Sequence, residues 1–493
     1  MTKKSKNYFL VFVGITILAF IWRLTALLTR GAFRFDEVFS VHFANYPLRE
    51  LLSLMVYENN PPLFYLLLHF WLKIINQQSE WLIRLPSLAF GLAGLWMIFY
   101  LGKHLFSTKV GLLAAFFAAF SLYQVFISTE IRPYPLVFLL SLLSICFFWQ
   151  YLEKKKLASL GYLISLILLL YTHLTGWFVF LITNIFFFLK KKTGLGFLKN
   201  QNKLKTKSWL ILQIIILLIL LPWFFLWLPE KNLSDINQSW YFAVPLPSFY
   251  FLENFKDLLA PFSHSLINSL LAVSIIIILL VNFIKCSKRG FNIWQCQMDF
   301  SPKTILLFLW LFLPLAIYFT LGLYQPVIFL VTASPAFYLL LARGIKNFNL
   351  PKKAFILLII FFFFLLSPSF ISLLSYSYQT DKAAEFIQKN EKSGDKILVH
   401  VFCEALTFKY YYQGNSPLEG FYPLDDQDSF DLRVIKRNWQ KLVDEKNVEK
   451  LAISTNGYQR IFLVQYLAYG LDPDLLVFKW FLKNEWRLTK EKG

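Results

Sequence analysis

Asp36 and Glu37 stand side by side just past an apolar stretch, Tyr8 to Leu28, that is long enough to cross a bilayer. Two carboxylates in that place are costly unless they face water, a cation or a reaction. Paired acids at a membrane surface can strip the proton from an acceptor hydroxyl, as a transferase requires. Taken alone, the pair is equally a solvated marker of a helix end. Other polar groups keep it company downstream: Glu58-Asn59-Asn60-Pro61-Pro62-Leu63-Phe64-Tyr65, then Arg84-Leu85-Pro86-Ser87, then Thr129-Glu130-Ile131-Arg132-Pro133-Tyr134, then Tyr171-Thr172-His173. Each has a plainer role open to it. Arg84 and Arg132 could be side chains reaching for the interface, Glu130 a partner for Arg132, and His173 a satisfied turn histidine. Pro61-Pro62 could simply set the entry of a helix.

What must position these groups is a membrane scaffold. The chain has 493 residues, 57% of them hydrophobic, with 55 Phe, 15 Trp and only 16% charged residues, and its mean hydropathy is +0.53. No ordinary soluble domain is so apolar. The net charge of +20 is not a nucleic-acid footprint. Residues 376–493 hold 17 Lys+Arg and 17 Asp+Glu, whereas residues 1–375 hold 32 basic and 12 acidic residues. The basic residues concentrate in short loops such as Lys154-Lys155-Lys156 and Lys190-Lys191-Lys192. That is the positive-inside pattern rather than a groove for phosphodiesters. Cys146, Cys286, Cys296 and Cys403 are scattered and show no metal or disulfide spacing.

Hydropathy and loop charge predict eleven spans near 8–28, 85–102, 110–128, 134–152, 157–172, 174–189, 208–228, 265–284, 304–321, 328–342 and 354–373. The first is read as a retained anchor, because it is long for a signal peptide, contains Arg23 and lacks a small-residue cleavage site. An odd number of spans starts the chain in the cytoplasm and leaves its C-terminal part outside. The predicted cytoplasmic segments then hold 23 Lys+Arg against eight in the outer ones, and ten of the 12 acids fall outside, Glu153 and Asp299 excepted. Pro61 to Ile75 is apolar but short, and making it cross would invert every later loop. Residues 38–75 therefore read as interfacial helices of a large first outer loop, 30–84, that carries the acids. Residues 1–375 form the expected membrane domain and 376–493 a small extracytoplasmic α/β domain. In the latter, Asp381 to Asn390 and Glu404 to Tyr412 read as helices, and Lys396 to Cys403 and Arg460 to Gln465 as strands. The fold class is mainly α, a polytopic helical membrane protein with an α/β appendage.

The order Asp-Glu, Pro-Pro-Leu-x-Tyr, Arg-Leu-Pro-Ser, Glu-x-Arg-Pro-Tyr resembles GT-C membrane glycosyltransferases. It is similar in particular to the group that includes protein O-mannosyltransferases and the lipid A aminoarabinose transferases. The likeness carries motifs over roughly 8–190 and extends more loosely, by span pattern, over the rest. It implies a polyprenyl-phosphate sugar as donor, used on the outer side of the membrane with inversion at the anomeric carbon. It also implies a glycolipid, a cell-surface polysaccharide or a protein as acceptor. Asp36 takes the place of the family's base and Glu37 that of the adjoining acid, with Glu130 as a further acid that positions the acceptor. Arg84 and Arg132 would meet the departing phosphate, which guanidinium geometry suits. Glu58, Asn60, Tyr134 and His173 complete the expected substrate-binding set. Two positions depart from the pattern: Asn60 stands where relatives commonly have His, and Ile328-Phe329 where they often have Arg-Tyr.

Asp36, Glu37, Glu58 and Glu130 could hold a divalent cation, and no other cofactor is indicated. A Walker loop, a strand-linked GxGxxG, HExxH and GxSxG are all missing from the sequence. Two other classes compete with a transferase. A flippase for lipid-linked glycans would explain many spans, but it should place ionisable groups at mid-membrane and show repeated halves. An inactive relative that binds glycolipid would explain Asn60 and Ile328.

Overall fold

The computed structural model describes residues 3–76, 79–193, 206–230, 301–320, 327–348, 351–375, 379–400, 403–421, 443–466 and 472–487 except 473, with Phe430 and a few positions between 258 and 298. They fall into two compact units. One comprises Met1–Arg30, Asn59–Leu226 and Pro245–Tyr376; the other comprises Gly31–Glu58, Trp227–Val244 and Ser377–Gly493.

The first unit is a helical bundle. Its helices are α1 (Lys3–Leu28), α4 (Leu63–Ile75), α5 (Glu80–Leu105), α6 (Thr108–Phe120), α7 (Leu122–Ser128), α8 (Tyr134–Leu152), α9 (Ala158–Leu170), α10 (Gly176–Thr193), α11 (Thr206–Trp227), α12 (Pro302–Thr320), α13 (Ser334–Asn347) and α14 (Lys352–Ser375); α2 and α3 belong to the other unit. Among the described residues five helices are long and apolar enough to cross a membrane, and six if the bent pair α6–α7 is one span. The chain is thus a multi-pass membrane protein. The expected span 265–284 falls almost wholly outside the described residues.

Two expected spans differ in detail. Residues 110–128 are not one rod, because α6 and α7 meet at a 64° bend. A break strands carbonyls and amides that lipid cannot satisfy, so such a turn survives only where protein replaces the lost partners. Ser121 supplies one replacement by accepting from the Gln124 amide at 3.3 Å. Arg23 of α1 supplies the others. Wholly buried, it donates to the carbonyls of Ala119 at 2.6 Å and Ala118 at 3.0 Å. The second difference is at 328–342, where a 3₁₀ turn, Val327–Thr332, precedes α13, whose first turn holds Ser334 and Pro335.

Close helix contact depends on small residues. A Cβ on Gly111 would lie 2.5 Å from the Phe99 carbonyl oxygen, and one on Gly102 would lie 2.8 Å from the Gly111 Cα. Helices α5 and α6 can approach this far only without side chains there. Gly111→Ala is expected to destabilise the bundle by about 1–3 kcal/mol, read as a lower thermal midpoint in detergent. Gly14→Ala, where nothing lies within 4 Å, is expected to leave the midpoint unchanged. Glu153, one of the two acids expected on the cytoplasmic side, has local partners: His104 Nε2 is 3.1 Å away and Trp149 Nε1 donates to it at 2.8 Å.

The second unit contains α2 (Phe35–Asn45) and α3 (Leu48–Leu54) together with an α/β part. That part runs α15 (Thr380–Asn390), β1 (Asp395–His400), α16 (Glu404–Tyr411), β2 (Leu418–Gly420), α17 (Glu445–Val448), α18 (Leu451–Thr455), β3 (Arg460–Gln465) and α19 (Leu476–Lys483). The strands form a parallel sheet in the order β2-β1-β3, with Ile397 opposite both Leu418 and Phe462. The central strand is buried along its whole length, as parallel strands covered on both faces are. Alternation along β1 sorts the core. Ile397 and Val399 pack with Ala384, Ala405 and Phe408, while Leu398 packs with Leu451, Val477 and Trp480.

Candidate active site

In the membrane unit a polar cluster forms where helices end. Arg30 follows α1, and its guanidinium reaches the turn between α7 and α8. It donates to the Phe126 carbonyl at 3.1 Å, to Thr129 Oγ1 and to Glu130 Oε1, and its charge lies 4.7 Å from the Phe126 ring centroid. Arg30 and Glu130 are both buried, 8% and 3% exposed, so the pair is a desolvated ion pair braced by further hydrogen bonds. Two residues on, Arg132 is buried with its guanidinium 5.8 Å from the Tyr134 ring centroid. Tyr134 opens α8, and its ring stands 5.6 Å from that of His173.

His173 sits in the α9–α10 turn. Its Nδ1 accepts from the Thr175 amide at 3.1 Å, which leaves the neutral ring's proton on Nε2. The same turn holds the start of α4, because the Leu63 amide donates to the Tyr171 carbonyl at 2.9 Å. Buried Asn60 and the Pro61-Pro62 pair directly precede that anchor. The structure therefore brings Glu130, Arg132, Tyr134, His173 and the start of α4 into one connected cluster. Arg84 lies one turn into α5, buried, with Glu80 at 3.8 Å on the preceding turn.

Asp36, Glu37 and Glu58 belong to the second unit. Consecutive residues on a helix point about 100° apart, and α2 uses that angle to give its acids different settings. Glu37 is wholly buried, and its Oε2 accepts the Arg34 amide at 3.2 Å, closing the helix start. Asp36 is exposed, and its carbonyl accepts from Ser40 Oγ at 2.7 Å. The buried Glu58 offers its carbonyl to Trp227 Nε1 at 2.9 Å. The helix is held from the far end of the chain. The Phe33 amide donates to Tyr411 Oη at 2.6 Å, and the Phe33 and Tyr410 rings stand 5.5 Å apart.

Arg30 is the principal site residue that sequence reasoning missed. It lies beyond the last apolar residue of α1 and reads as an ordinary basic flank. Its signal was position: it is the first cation after the span, six residues before Asp36. Among the described residues no three His, Cys, Asp or Glu side chains gather into one cluster. The second unit offers a solvent-facing carboxylate, Asp36. The first holds buried guanidinium groups and the buried acid Glu130.

A model of the dolichyl-phosphate-mannose-protein mannosyltransferase family matches residues 59–227. No curated protein matches the chain in sequence. Among solved structures, ArnT from Cupriavidus metallidurans in the apo state is similar with a TM-score of 0.58 at 13% identity, over 92% of each chain. The same protein bound to undecaprenyl phosphate gives 0.55 at 13% identity, again over 92% of each chain. An oligosaccharyltransferase of Archaeoglobus fulgidus, tethered to an acceptor peptide, gives 0.50 at 12% identity over 90% of this chain and 68% of that one. The fold is that of GT-C membrane glycosyltransferases of the protein mannosyltransferase and ArnT type, as the ordered motifs implied.

Proposed function

We propose that this GT-C protein moves a hexosyl or pentosyl group from a polyprenyl-phosphate donor to an extracytoplasmic acceptor with inversion. Asp36 acts as the base. It takes the acceptor proton as the acceptor oxygen bonds to the anomeric carbon, and the bond from that carbon to the phosphate oxygen breaks. The electron pair leaves with the polyprenyl phosphate, whose growing charge Arg132 and Arg84 offset. Arg30 fixes Glu130 for a part in positioning the acceptor. Glu37 holds the start of α2 so that Asp36 keeps its exposed station. Tyr134, Asn60, His173 and Glu58 serve in substrate binding.

The observation that carries this reading is the division of labour in α2: one acid is spent on the helix start and its neighbour faces solvent. Undecaprenyl phosphate bound to the structurally similar ArnT supports a lipid-phosphate donor of this class. The acceptor is a glycolipid, a polysaccharide or a protein hydroxyl. The N-terminus lies in the cytoplasm and the α/β part outside, in keeping with the loop charges.

The test is transfer of label from a panel of radiolabelled polyprenyl-phosphate sugars by the purified protein, given a crude mixture of glycolipid and cell-wall acceptors. Transfer from one donor is the expected result and names the sugar. Silence with every donor from folded protein would overturn the reading in favour of binding or transport.

A further inference from the structure

Tyr410 and Tyr411 close α16 and Tyr412 follows it, and the three make different contacts. Tyr412 is buried and donates its hydroxyl to Glu391, which also takes Ser416 Oγ at 2.6 Å. One turn back, Ala405 and Phe408 pack with Ile397 and Val399 of the central strand. The end of α16 is thereby fixed on the sheet. Tyr410 and Tyr411 instead meet the segment that leads into α2, the helix that packs against α16. The Tyr410 ring stands 5.5 Å from that of Phe33, and the Tyr411 ring 5.0 Å from that of Tyr410 at 77°. Tyr411 Oη accepts from the Phe33 amide at 2.6 Å.

Two neighbouring amides therefore hold the start of α2. The Arg34 amide goes to Glu37 Oε2 at 3.2 Å, a bond within the segment that fixes its shape. The Phe33 amide goes to Tyr411, a bond to another element that fixes its place. Phe33 is wholly buried, where an amide without an acceptor is costly. Asp36 lies in the first turn of α2, three residues on, so any drift of that start carries its carboxylate along.

We propose that Tyr411 is a positioning residue for transfer: through the Phe33 amide it places the Asp36 carboxylate against the acceptor hydroxyl. The inference rests on the reading of Asp36 as the base. Proton transfer needs hydrogen-bond distance, so a base moved by a fraction of an ångström works less well. Donor binding does not follow such a shift, since Arg84 and Arg132, proposed to meet its phosphate, belong to the first unit. Tyr411 thus acts on kcat and leaves the donor's KM as it is.

Tyr411→Phe keeps the ring and removes the accepting oxygen. The experiment measures transfer by the full-length wild type, Tyr411→Phe, Asp36→Asn and the double variant, using the polyprenyl-phosphate sugar that supports transfer. Tyr411→Phe is expected to lower kcat about three- to tenfold at unchanged donor KM. In the Asp36→Asn background the same change is expected to bring no further loss, because the group it positions is gone. Equal fractional losses in both backgrounds, or a rise in KM alone, place the action of Tyr411 elsewhere and overturn the inference. So does a Tyr411→Phe enzyme as fast as wild type. Full transfer by Asp36→Asn overturns the base assignment itself, whatever Tyr411→Phe does.

A second measurement needs no substrate. Hydrogen exchange at the Phe33, Glu37 and Val38 amides is expected to quicken by up to about tenfold in Tyr411→Phe, the worth of one hydrogen bond in a local opening. Ile397, Leu398 and Val399 of the central strand should keep their wild-type rates. Unchanged exchange at the start of α2 means that Tyr411 does not hold it. Faster exchange in both places marks a general loss of structure and counts against a positioning role.

Discussion

Sugar transfer by an Asp36→Asn variant is expected to fall by about 10²–10⁴-fold, the range over which a positioned proton acceptor speeds such a step. Asparagine keeps the size of the side chain and the backbone carbonyl that Ser40 uses. It has no basic oxygen to take the acceptor's proton. The exposed position makes the change cheap for folding, so thermal midpoint and detergent behaviour should match the wild type. Label transfer measured against unmodified protein at equal concentration separates the two readouts. Retained transfer would remove Asp36 from the chemistry.

The second large effect is on stability. Arg30→Met is expected to destabilise the membrane unit by about 3–5 kcal/mol, because it takes the guanidinium away from the buried Glu130 carboxylate. It also removes donors to the Phe126 carbonyl and Thr129, where the chain turns between α7 and α8. The double variant Arg30→Met/Glu130→Gln should recover most of the loss, since a neutral amide is cheaper to bury than a carboxylate that has lost its guanidinium. Thermal unfolding of the four proteins closes the cycle. A single variant as stable as wild type would show that Arg30 does not hold Glu130.

Much of the scaffold was legible because burial in lipid demands long apolar runs, and those are visible in any sequence. The strand Arg460–Gln465 emerged at its observed bounds for a similar reason: a short β-branched and aromatic apolar run between polar flanks has few other structures. The bend at Ser121 was hidden, since 110–128 is a continuous apolar run and the residue that permits the break, Arg23, lies nearly 100 positions earlier. The motif residues Glu130, Arg132, Tyr134 and His173 were visible by type and order. What joins them was not, because Arg30 and the Leu63–Tyr171 bond act between segments distant in the chain. The split between Asp36 and Glu37 could have been seen. Once α2 is known to begin at Phe35, neighbouring acids must diverge.

The bond from the Phe33 amide to Tyr411 links residues 378 positions apart. At about 5–20 residues per second, a ribosome delivers the second partner roughly 20–75 s after the first. For that interval the growing chain already has its leading anchor and its acid, yet the helix bearing the acid lacks the element that holds it. A chain abandoned before α16 is therefore a membrane protein without a braced Asp36 helix. Under the proposed role of Asp36, turnover waits until the chain has been made as far as α16.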